Sequence, residues 1–309
     1  MQIGGIDQWI TIAGDHCNAP VVLVLHGGPG NPMSPYAATI YGPWQRDFVV
    51  VQWDQRGAGR TFGRNPNTAD ATLSVEQMTR DGIDVATHLT RRLNTTKLVL
   101  LGSSWGSVLG VHMAKARPDL FLGYVGAAQL VDAAENQAAS VATLAALARA
   151  GGDADTLAAL EALGPPPWRN PRNFGVLRKL LRRQEARTTL AAPAEWWTRE
   201  AAYATPQAMA DDEAGEDYSY LQFVGRHGDG MFSKIDLRRL GMRFEIPLVL
   251  IQGSDDLVTV PEVAKRYFEA ISAPTKDIVV LPRTGHDPNR AMIDAQYDAA
   301  KRLGGLAAR

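Results

Sequence analysis

One segment of the chain has the pattern of an activated serine. Residues 102–106 read G-S-S-W-G, the G-x-S-x-G arrangement in which a serine sits on a sharp turn between a strand and a helix. A serine hydroxyl is a weak nucleophile near neutral pH, so it needs a base within hydrogen-bond reach and a third group that orients the base. Ser104 is the candidate nucleophile, and we expect the base and the acid that orients it to lie later in the chain.

Candidates for the acid and the base lie on two loops near the carboxyl end. Residues 253–256 read G-S-D-D after one apolar run, and residues 284–287 read T-G-H-D after the next. His286 is the one histidine of six that falls on such a loop in the last segment, and we predict that it is the general base. Asp255 and Asp256 are both candidates for the acid that orients it.

A glycine-rich loop supplies the third requirement of acyl transfer. Residues 26–30 read H-G-G-P-G directly after an apolar run. The oxyanion that develops during acyl transfer needs backbone N–H groups aimed at one point, and glycines let bare backbone reach that point. We expect the N–H of Gly27 or Gly28, together with that of Trp105, to form an oxyanion hole.

The elements that must position these residues are short apolar runs alternating with helical stretches. Such runs look like strands buried on both faces, which is typical of a mostly parallel sheet. Ser74 and Gln77 form a capping-box pattern at the start of one helical stretch. The pattern predicts an α/β fold with a mostly parallel, doubly wound sheet. The predicted strands cover residues 21–25, 48–52, 97–101, 247–251 and 278–281.

The middle of the chain has a different composition. Residues 133–163 are rich in alanine, residues 164–167 read G-P-P-P, and a second helical run covers residues 173–187. This organisation predicts a core domain of residues 1–128 and 242–309, interrupted by a helical domain of residues 129–241.

Composition limits the kinds of molecule that the protein is expected to bind. The 309 residues have a formal net charge of −1, which gives no general attraction to nucleic acid or to an anionic membrane. The single cysteine, Cys17, excludes an internal disulfide framework, and no metal-ligand spacing occurs. Residues 1–16 lack the pattern of a secretory signal. We therefore expect a cytoplasmic, cofactor-free protein that binds a small molecule or a short peptide, with its oligomeric state open.

Three motifs together resemble the α/β-hydrolase superfamily, and within it the proline iminopeptidase branch. The branch is marked by H-G-G-P-G, W-D-Q-R-G-x-G and G-x-S-W-G, which stand here at residues 26–30, 53–59 and 102–106. In this fold G-x-x-D is the commoner spacing after the strand, which favours Asp256 as the acid. The resemblance implies a helical cap and a serine hydrolase that releases an amino-terminal proline or small residue through an acyl-enzyme.

Substrate recognition in that branch depends on cap glutamates that bind the free amino end of the peptide. One of them lies in W-x-x-W-E, and residues 196–200 match it with Glu200 in place but Arg199 where the second Trp would be. A second cap segment has only a loose counterpart at residues 216–220. The resemblance thus implies Glu200 as a substrate-binding residue. Two alternatives stay open: a carboxylesterase or lactonase acting on small esters, and a non-catalytic binding protein on the same fold.

Overall fold

Seven strands of the chain form one sheet, and two short strands near the amino terminus form a separate hairpin. A computed structural model describes residues 1–65 and 71–305. In these residues the strands are β1 (Gln2–Ile3), β2 (Ile6–Asp7), β3 (Trp9–Ala13), β4 (Val21–Leu25), β5 (Val49–Asp54), β6 (Leu98–Ser103), β7 (Phe121–Ala127), β8 (Leu248–Gly253) and β9 (Lys276–Leu281).

The sheet has the order β3-β5-β4-β6-β7-β8-β9. Every neighbouring pair is parallel except β3 and β5, which are antiparallel. The predicted α/β class and mostly parallel sheet are confirmed, and all five predicted strands are present. The sequence interpretation missed β3 and β7. The half-exposed edge strand β3 lacks a continuous buried run, and β7 contains Gly123 and Gly126, which weaken a strand signal.

Side chains of the central strands alternate between two hydrophobic layers. In β4, Val21, Leu23 and Leu25 face one layer, whereas Val22 and Val24 face the other. The first layer contains apolar residues of α3, α4 and α9, and the second contains those of α1 and α10. The helices are α1 (Ala37–Tyr41), α2 (Gly59–Arg64), α3 (Val75–Arg92), α4 (Trp105–Ala116), α5 (Ala133–Ala150), α6 (Ala154–Leu163), α7 (Pro171–Glu185), α8 (Pro206–Val224), α9 (Pro261–Ala270) and α10 (Arg290–Leu303).

The predicted start of α3 is confirmed, but its capping box is only half formed. The Ser74 hydroxyl accepts a hydrogen bond from the Gln77 backbone N–H at 3.1 Å. The Gln77 side chain donates to Asp81 at 2.9 Å instead of turning back to Ser74. The N-cap hydroxyl alone therefore satisfies the first turn of this helix. None of the described helices is both long and apolar enough to cross a membrane.

The chain between β7 and β8 is helical, as expected. It contains α5 to α8, and the proline-rich break separates α6 from α7. Leucines of α5, α6 and α7 pack with Trp168 and with Leu257 of the sheet domain in a cluster of their own. A backbone bridge between Asp132 and Asp236 brings the two ends of the segment together. The boundaries at residues 128 and 242 stay a prediction, and residues 66–70 and 306–309 of the predicted core lie outside the described residues.

The turn from β6 to α4 requires glycine on both sides of Ser104. A Cβ on Gly102 would lie 2.2 Å from the Gly106 carbonyl oxygen, and a Cβ on Gly106 would lie 2.1 Å from the Leu25 carbonyl oxygen. Ser104 itself has φ 53° and ψ −119°, a conformation that is rare for a residue with a side chain. The close contact of this turn with β4 thus places Ser104 at the carboxyl end of the sheet.

Gly106→Ala should destabilise the protein by about 3 kcal/mol, because the new methyl group would collide with the backbone of the central strand β4. Urea unfolding followed by circular dichroism measures the effect. Gly42→Ala is the matched control, since Gly42 has a helical φ of −52° and open space where the methyl would stand. It should stay within about 1 kcal/mol of wild type. Equal stability of both variants would contradict this account of the turn.

Candidate active site

Three residues that are far apart in sequence meet at the carboxyl end of the sheet. Nε2 of His286 lies 3.0 Å from Oγ of Ser104, and Nδ1 of His286 lies 3.1 Å from Oδ2 of Asp256. Each residue follows a parallel strand: Ser104 follows β6, Asp256 follows β8 and His286 follows β9. The distances are those of a nucleophile, a base and an orienting carboxylate. The roles of the three residues remain predictions.

Asp256 is fully buried, and every contact favours its charged form. Oδ1 accepts the backbone N–H groups of Val258 at 2.9 Å and Thr259 at 2.7 Å, and Oδ2 accepts the Thr259 hydroxyl at 2.6 Å. Burial alone would raise the pKa of Asp256, but the charge of His286 and the hydrogen bonds from His286 and Thr259 hold it below its ordinary value. Of the two candidate acids, Asp256 is the one in contact with His286, whereas the Asp255 carboxylate accepts the Ser254 hydroxyl.

The loop after β4 lies directly against the serine. A Cβ on Gly27 would stand 3.4 Å from Cβ of Ser104, and Gly27, Gly28 and Trp105 line the same cavity as Ser104. His26 donates from Nδ1 to the Gly27 carbonyl at 2.8 Å. Because the C=O and N–H of one trans peptide point in opposite directions, this bond also fixes the direction of the Gly28 N–H.

Buried hydrogen bonds join this loop to the two other motifs. Nε2 of His26 accepts the Gln55 backbone N–H at 3.1 Å, and the Gln55 side chain donates to the His26 carbonyl at 3.1 Å. The Trp105 indole donates to the Gln55 side-chain oxygen at 2.9 Å. Burial lowers the pKa of His26 to about 4, so its ring is neutral near pH 7. The motif residues His26, Gln55 and Trp105 therefore act as one rigid support beneath the site.

A cavity of about 740 Å³ opens over Ser104 and His286. Its other walls include residues of α5, α7 and α8. The cationic side chains that line it are Arg178, Lys179, Arg182 and Arg199, and the acidic ones are Asp212, Glu216 and Asp287. Two ion pairs occur among them: Arg182 with Asp287 at 3.1 Å, and Arg199 with Asp212. Among the residues that the structure describes, no cluster of histidine, cysteine, aspartate or glutamate side chains could hold a metal ion.

Glu200 does not line this cavity, and its role as a substrate-binding residue stays a prediction. Its carboxylate accepts the backbone N–H of Ala38 at 3.1 Å, and its own N–H donates to the Pro35 carbonyl at 2.9 Å. The cavity wall contains Arg199 but not Glu200. The extended backbone at Glu200 turns its side chain toward the start of α1. The acidic side chains of α8, Asp212 and Glu216, occupy the cavity instead.

The sequence interpretation missed Glu185, a buried carboxylate at the end of α7. It accepts the backbone N–H of Leu257 at 2.7 Å and that of His286 at 3.4 Å. These groups belong to the two loops that carry Asp256 and His286, so one side chain of the helical segment holds both loops. The sequence did contain a signal for Glu185. Leu177, Leu181 and Glu185 are spaced four residues apart, so their side chains lie on the same face of the helix. A charged residue on an apolar stripe indicates a specific buried partner.

The residue at position 185 also titrates in an unusual range. Burial and the nearby charge of Asp256 raise the pKa of Glu185 to about 7. The charge of His286 and the two backbone N–H groups act in the opposite direction but do not cancel the rise. Glu185 is therefore partly protonated near neutral pH.

Comparison with known proteins was made on the sequence and on the fold. Residues 21–299 match the alpha/beta hydrolase family. The probable aminopeptidase YbaC of Bacillus subtilis is 26% identical over 294 residues, covering 94% of this chain and 90% of the relative. A probable proline iminopeptidase of Streptomyces coelicolor is 29% identical over 291 residues, covering 90% of this chain and 85% of the relative. The solved proline iminopeptidase-related protein of Thermus thermophilus superposes with a TM-score of 0.62 at 22% identity, covering 98% and 96%.

Replacing Glu185 by glutamine should change how stability depends on pH. In the wild type the pKa of Glu185 rises on folding from an ordinary value near 4.5 to about 7. A raised pKa adds stability at low pH, and that contribution is lost as the pH rises through about 7. The free energy of unfolding of wild type should therefore fall between pH 5 and pH 8 relative to that of Glu185→Gln, which cannot ionise.

Urea unfolding of both proteins at the two pH values gives this difference. Glu161→Gln removes an exposed helical carboxylate and serves as the control, whose pH dependence should match that of wild type. If the wild type and Glu185→Gln show the same change between pH 5 and pH 8, Glu185 does not titrate in this range.

Proposed function

The chain belongs to the alpha/beta hydrolase family and is similar to proline iminopeptidases, and on that premise we propose that it is a serine hydrolase that acts through an acyl-enzyme. One observation carries the proposal: Oγ of Ser104 lies 3.0 Å from Nε2 of His286, whose other ring nitrogen contacts the buried Asp256. Residues 129–241 would form a cap over the cavity, as the residues of α5, α7 and α8 in its wall suggest.

The proposed reaction has two acyl transfers. Oγ of Ser104 attacks the substrate carbonyl carbon while Nε2 of His286 takes the hydroxyl proton, and Asp256 stabilises the resulting imidazolium. The negative carbonyl oxygen would bind the N–H of Trp105 and the N–H of Gly27 or Gly28. The C–N or C–O bond then breaks, and the leaving group takes the proton from His286. Water attacks the acyl-enzyme by the same route and releases an acid and free Ser104.

The leading substrate proposal is a short peptide with amino-terminal proline or another small residue. The relatives named as aminopeptidase or proline iminopeptidase support it. Glu216 and Asp212 on α8 line the cavity and could bind a substrate ammonium group, in place of the predicted Glu200. Because Asp212 is already paired with Arg199, Glu216 is the more available of the two carboxylates.

A small-ester hydrolase is the second candidate, and the charge of the cavity favours it. Once the two ion pairs of the wall are set aside, the described lining residues leave Arg178 and Lys179 against the single carboxylate of Glu216, and this local excess of positive charge does not favour a positively charged peptide amine. A carboxylesterase or lactonase would use the same three residues for the chemistry. The difference between the candidates thus lies in the binding of the substrate and not in the reaction.

Hydrolysis of model substrates tests the class and separates the candidates. Wild type should cleave either prolyl and alanyl p-nitroanilides or p-nitrophenyl acetate and butyrate, and Ser104→Ala should lower kcat roughly a millionfold. A fluorophosphonate probe should label wild type but not Ser104→Ala. Absence of labelling would point to a non-catalytic binding protein.

The two neighbouring aspartates provide a matched test of the orienting acid. Asp256→Asn should lower kcat by about 10⁴-fold, because the amide favours the wrong tautomer of His286. Asp255→Asn removes a charge one residue away without touching His286 and should retain near wild-type kcat. Steady-state kinetics on the best substrate from the previous experiment measures both variants. A large loss in Asp255→Asn with none in Asp256→Asn would reverse the assignment.

A further inference from the structure

Arg178 is a cation in the cavity wall for which the fold provides no partner. It lies on α7, is partly buried, and lines the same cavity as Ser104 and His286. Within the described part of the chain, its guanidinium makes no hydrogen bond and no ion pair. A guanidinium has five N–H donors, and none of those of Arg178 is bonded to a described residue.

Its surroundings do not compensate for the burial. Arg182 stands one helical turn further along α7 and adds repulsion, while its own guanidinium pairs with Asp287. The carboxylates of Asp287, Asp256 and Glu185 attract Arg178 through space but do not bond to it. Burial, the largest influence, lowers the pKa of Arg178 below its ordinary value. The site thus holds a partly buried positive charge that has no ion-pair partner among the described residues and can bind an anion.

A second polar side chain in the same wall also lacks a partner. Gln137 on α5 is 5% exposed and lines the cavity, and its side-chain amide makes no hydrogen bond with any described residue. The side chain of its neighbour Asn136 is already bonded, since it donates to the Val258 carbonyl and accepts the Val260 N–H. Helices α5 and α7 pack against each other, so Gln137 and Arg178 belong to adjoining walls. The Gln137 amide is accessible from the cavity, where a ligand can bind it.

We propose that Arg178 binds a carboxylate of the substrate, and that the enzyme therefore prefers substrates with an acidic group several bonds from the scissile carbonyl. The inference rests on the proposed function, because it describes what the same cavity accepts. A guanidinium binds a carboxylate through two parallel hydrogen bonds, which gives both affinity and orientation. Gln137 would contribute a further N–H from the adjoining wall.

The position of Arg178 on the helix indicates where that carboxylate must lie. Glu185 at the end of α7 holds the backbone N–H of His286, and Arg178 comes seven residues earlier. Seven residues of helix span about 10 Å. The anionic group thus belongs on an acyl chain or a leaving group of several atoms, and not next to the reacting carbon.

Two matched pairs of substrates test whether the carboxylate lies on the acyl side or on the leaving-group side of the scissile bond. Mono-4-nitrophenyl glutarate and 4-nitrophenyl pentanoate differ in a carboxylate on the acyl side, and prolyl-alanine and prolyl-alaninamide differ in one on the leaving side. In at least one pair, kcat/KM of wild type should be about tenfold or more higher for the anionic member. Arg178→Met should remove that preference, and Arg178→Lys should keep part of it because a point charge remains.

Arg172→Met is the matched control. It removes the same charge from an exposed position on the same helix, outside the cavity wall, and should leave the ratio within each pair unchanged. Thermal unfolding shows whether each variant is folded. Absence of a preference in wild type, or a preference that persists in Arg178→Met, would overturn the proposal.

A binding experiment separates this proposal from the proposed catalysis. Calorimetry measures the affinity of two ligand pairs for Ser104→Ala and for the double variant that also carries Arg178→Met. One pair is prolyl-alanine and prolyl-alaninamide, and the other is monomethyl and dimethyl glutarate. Tighter binding of an anionic member that depends on Arg178 supports the carboxylate site even where Ser104 proves not to be the nucleophile. Hydrolysis that depends on Ser104, without any preference for the anionic member, would retain the proposed function and overturn the carboxylate site.

Discussion

The left-handed backbone of Ser104 is the constraint on which the rest of the site depends. Its φ of 53° persists because the surrounding hydrogen bonds leave no alternative: the Ser104 N–H donates to the Ala127 carbonyl at 3.0 Å, and the Ser104 carbonyl accepts the Ser107 N–H at 2.9 Å. Gly102 lets the end of β6 approach the first turn of α4, and Gly106 lets that turn approach the backbone of β4. The central strands, the close contact with Leu25 and the position of the Ser104 hydroxyl are therefore linked, and a change in any of them displaces the proposed nucleophile.

The helical segment does more than cover the cavity, because a buried carboxylate connects it to the loops beneath. Glu185 receives N–H groups from the residue after Asp256 and from His286 itself. Leu257, which supplies one of those N–H groups, also packs in the hydrophobic cluster of α5, α6 and α7. Helix α7 thus holds the loops of Asp256 and His286 at one end and presents Arg178 to the cavity two turns earlier. The proposed carboxylate site and the geometry of the proposed triad therefore depend on the same helix.

The charge of the cavity wall does not follow from the net charge of the whole chain. A net charge of −1 predicts no strong field, yet within the described residues four cationic side chains line the cavity. Two of them are neutralised by ion pairs across the wall, so the local balance depends on pairing and burial. A partly buried guanidinium without a partner has more influence on an incoming anion than several exposed charges, because water screens it less.

The sequence by itself determined the α/β class, five of the seven sheet strands and the loops that carry Ser104, His286 and the Asp255–Asp256 pair. These features are local, since continuous apolar runs and glycine patterns are written within a few residues. It did not reveal β3 and β7, whose composition is ambiguous without their neighbours. Only the tertiary structure decided that Asp256 contacts His286, that Glu200 faces α1, that Glu185 bonds to both loops, and that Arg178 lines the cavity. The reason is physical: helix packing and loop closure determine which side chains meet, and those contacts join residues between 30 and 182 positions apart.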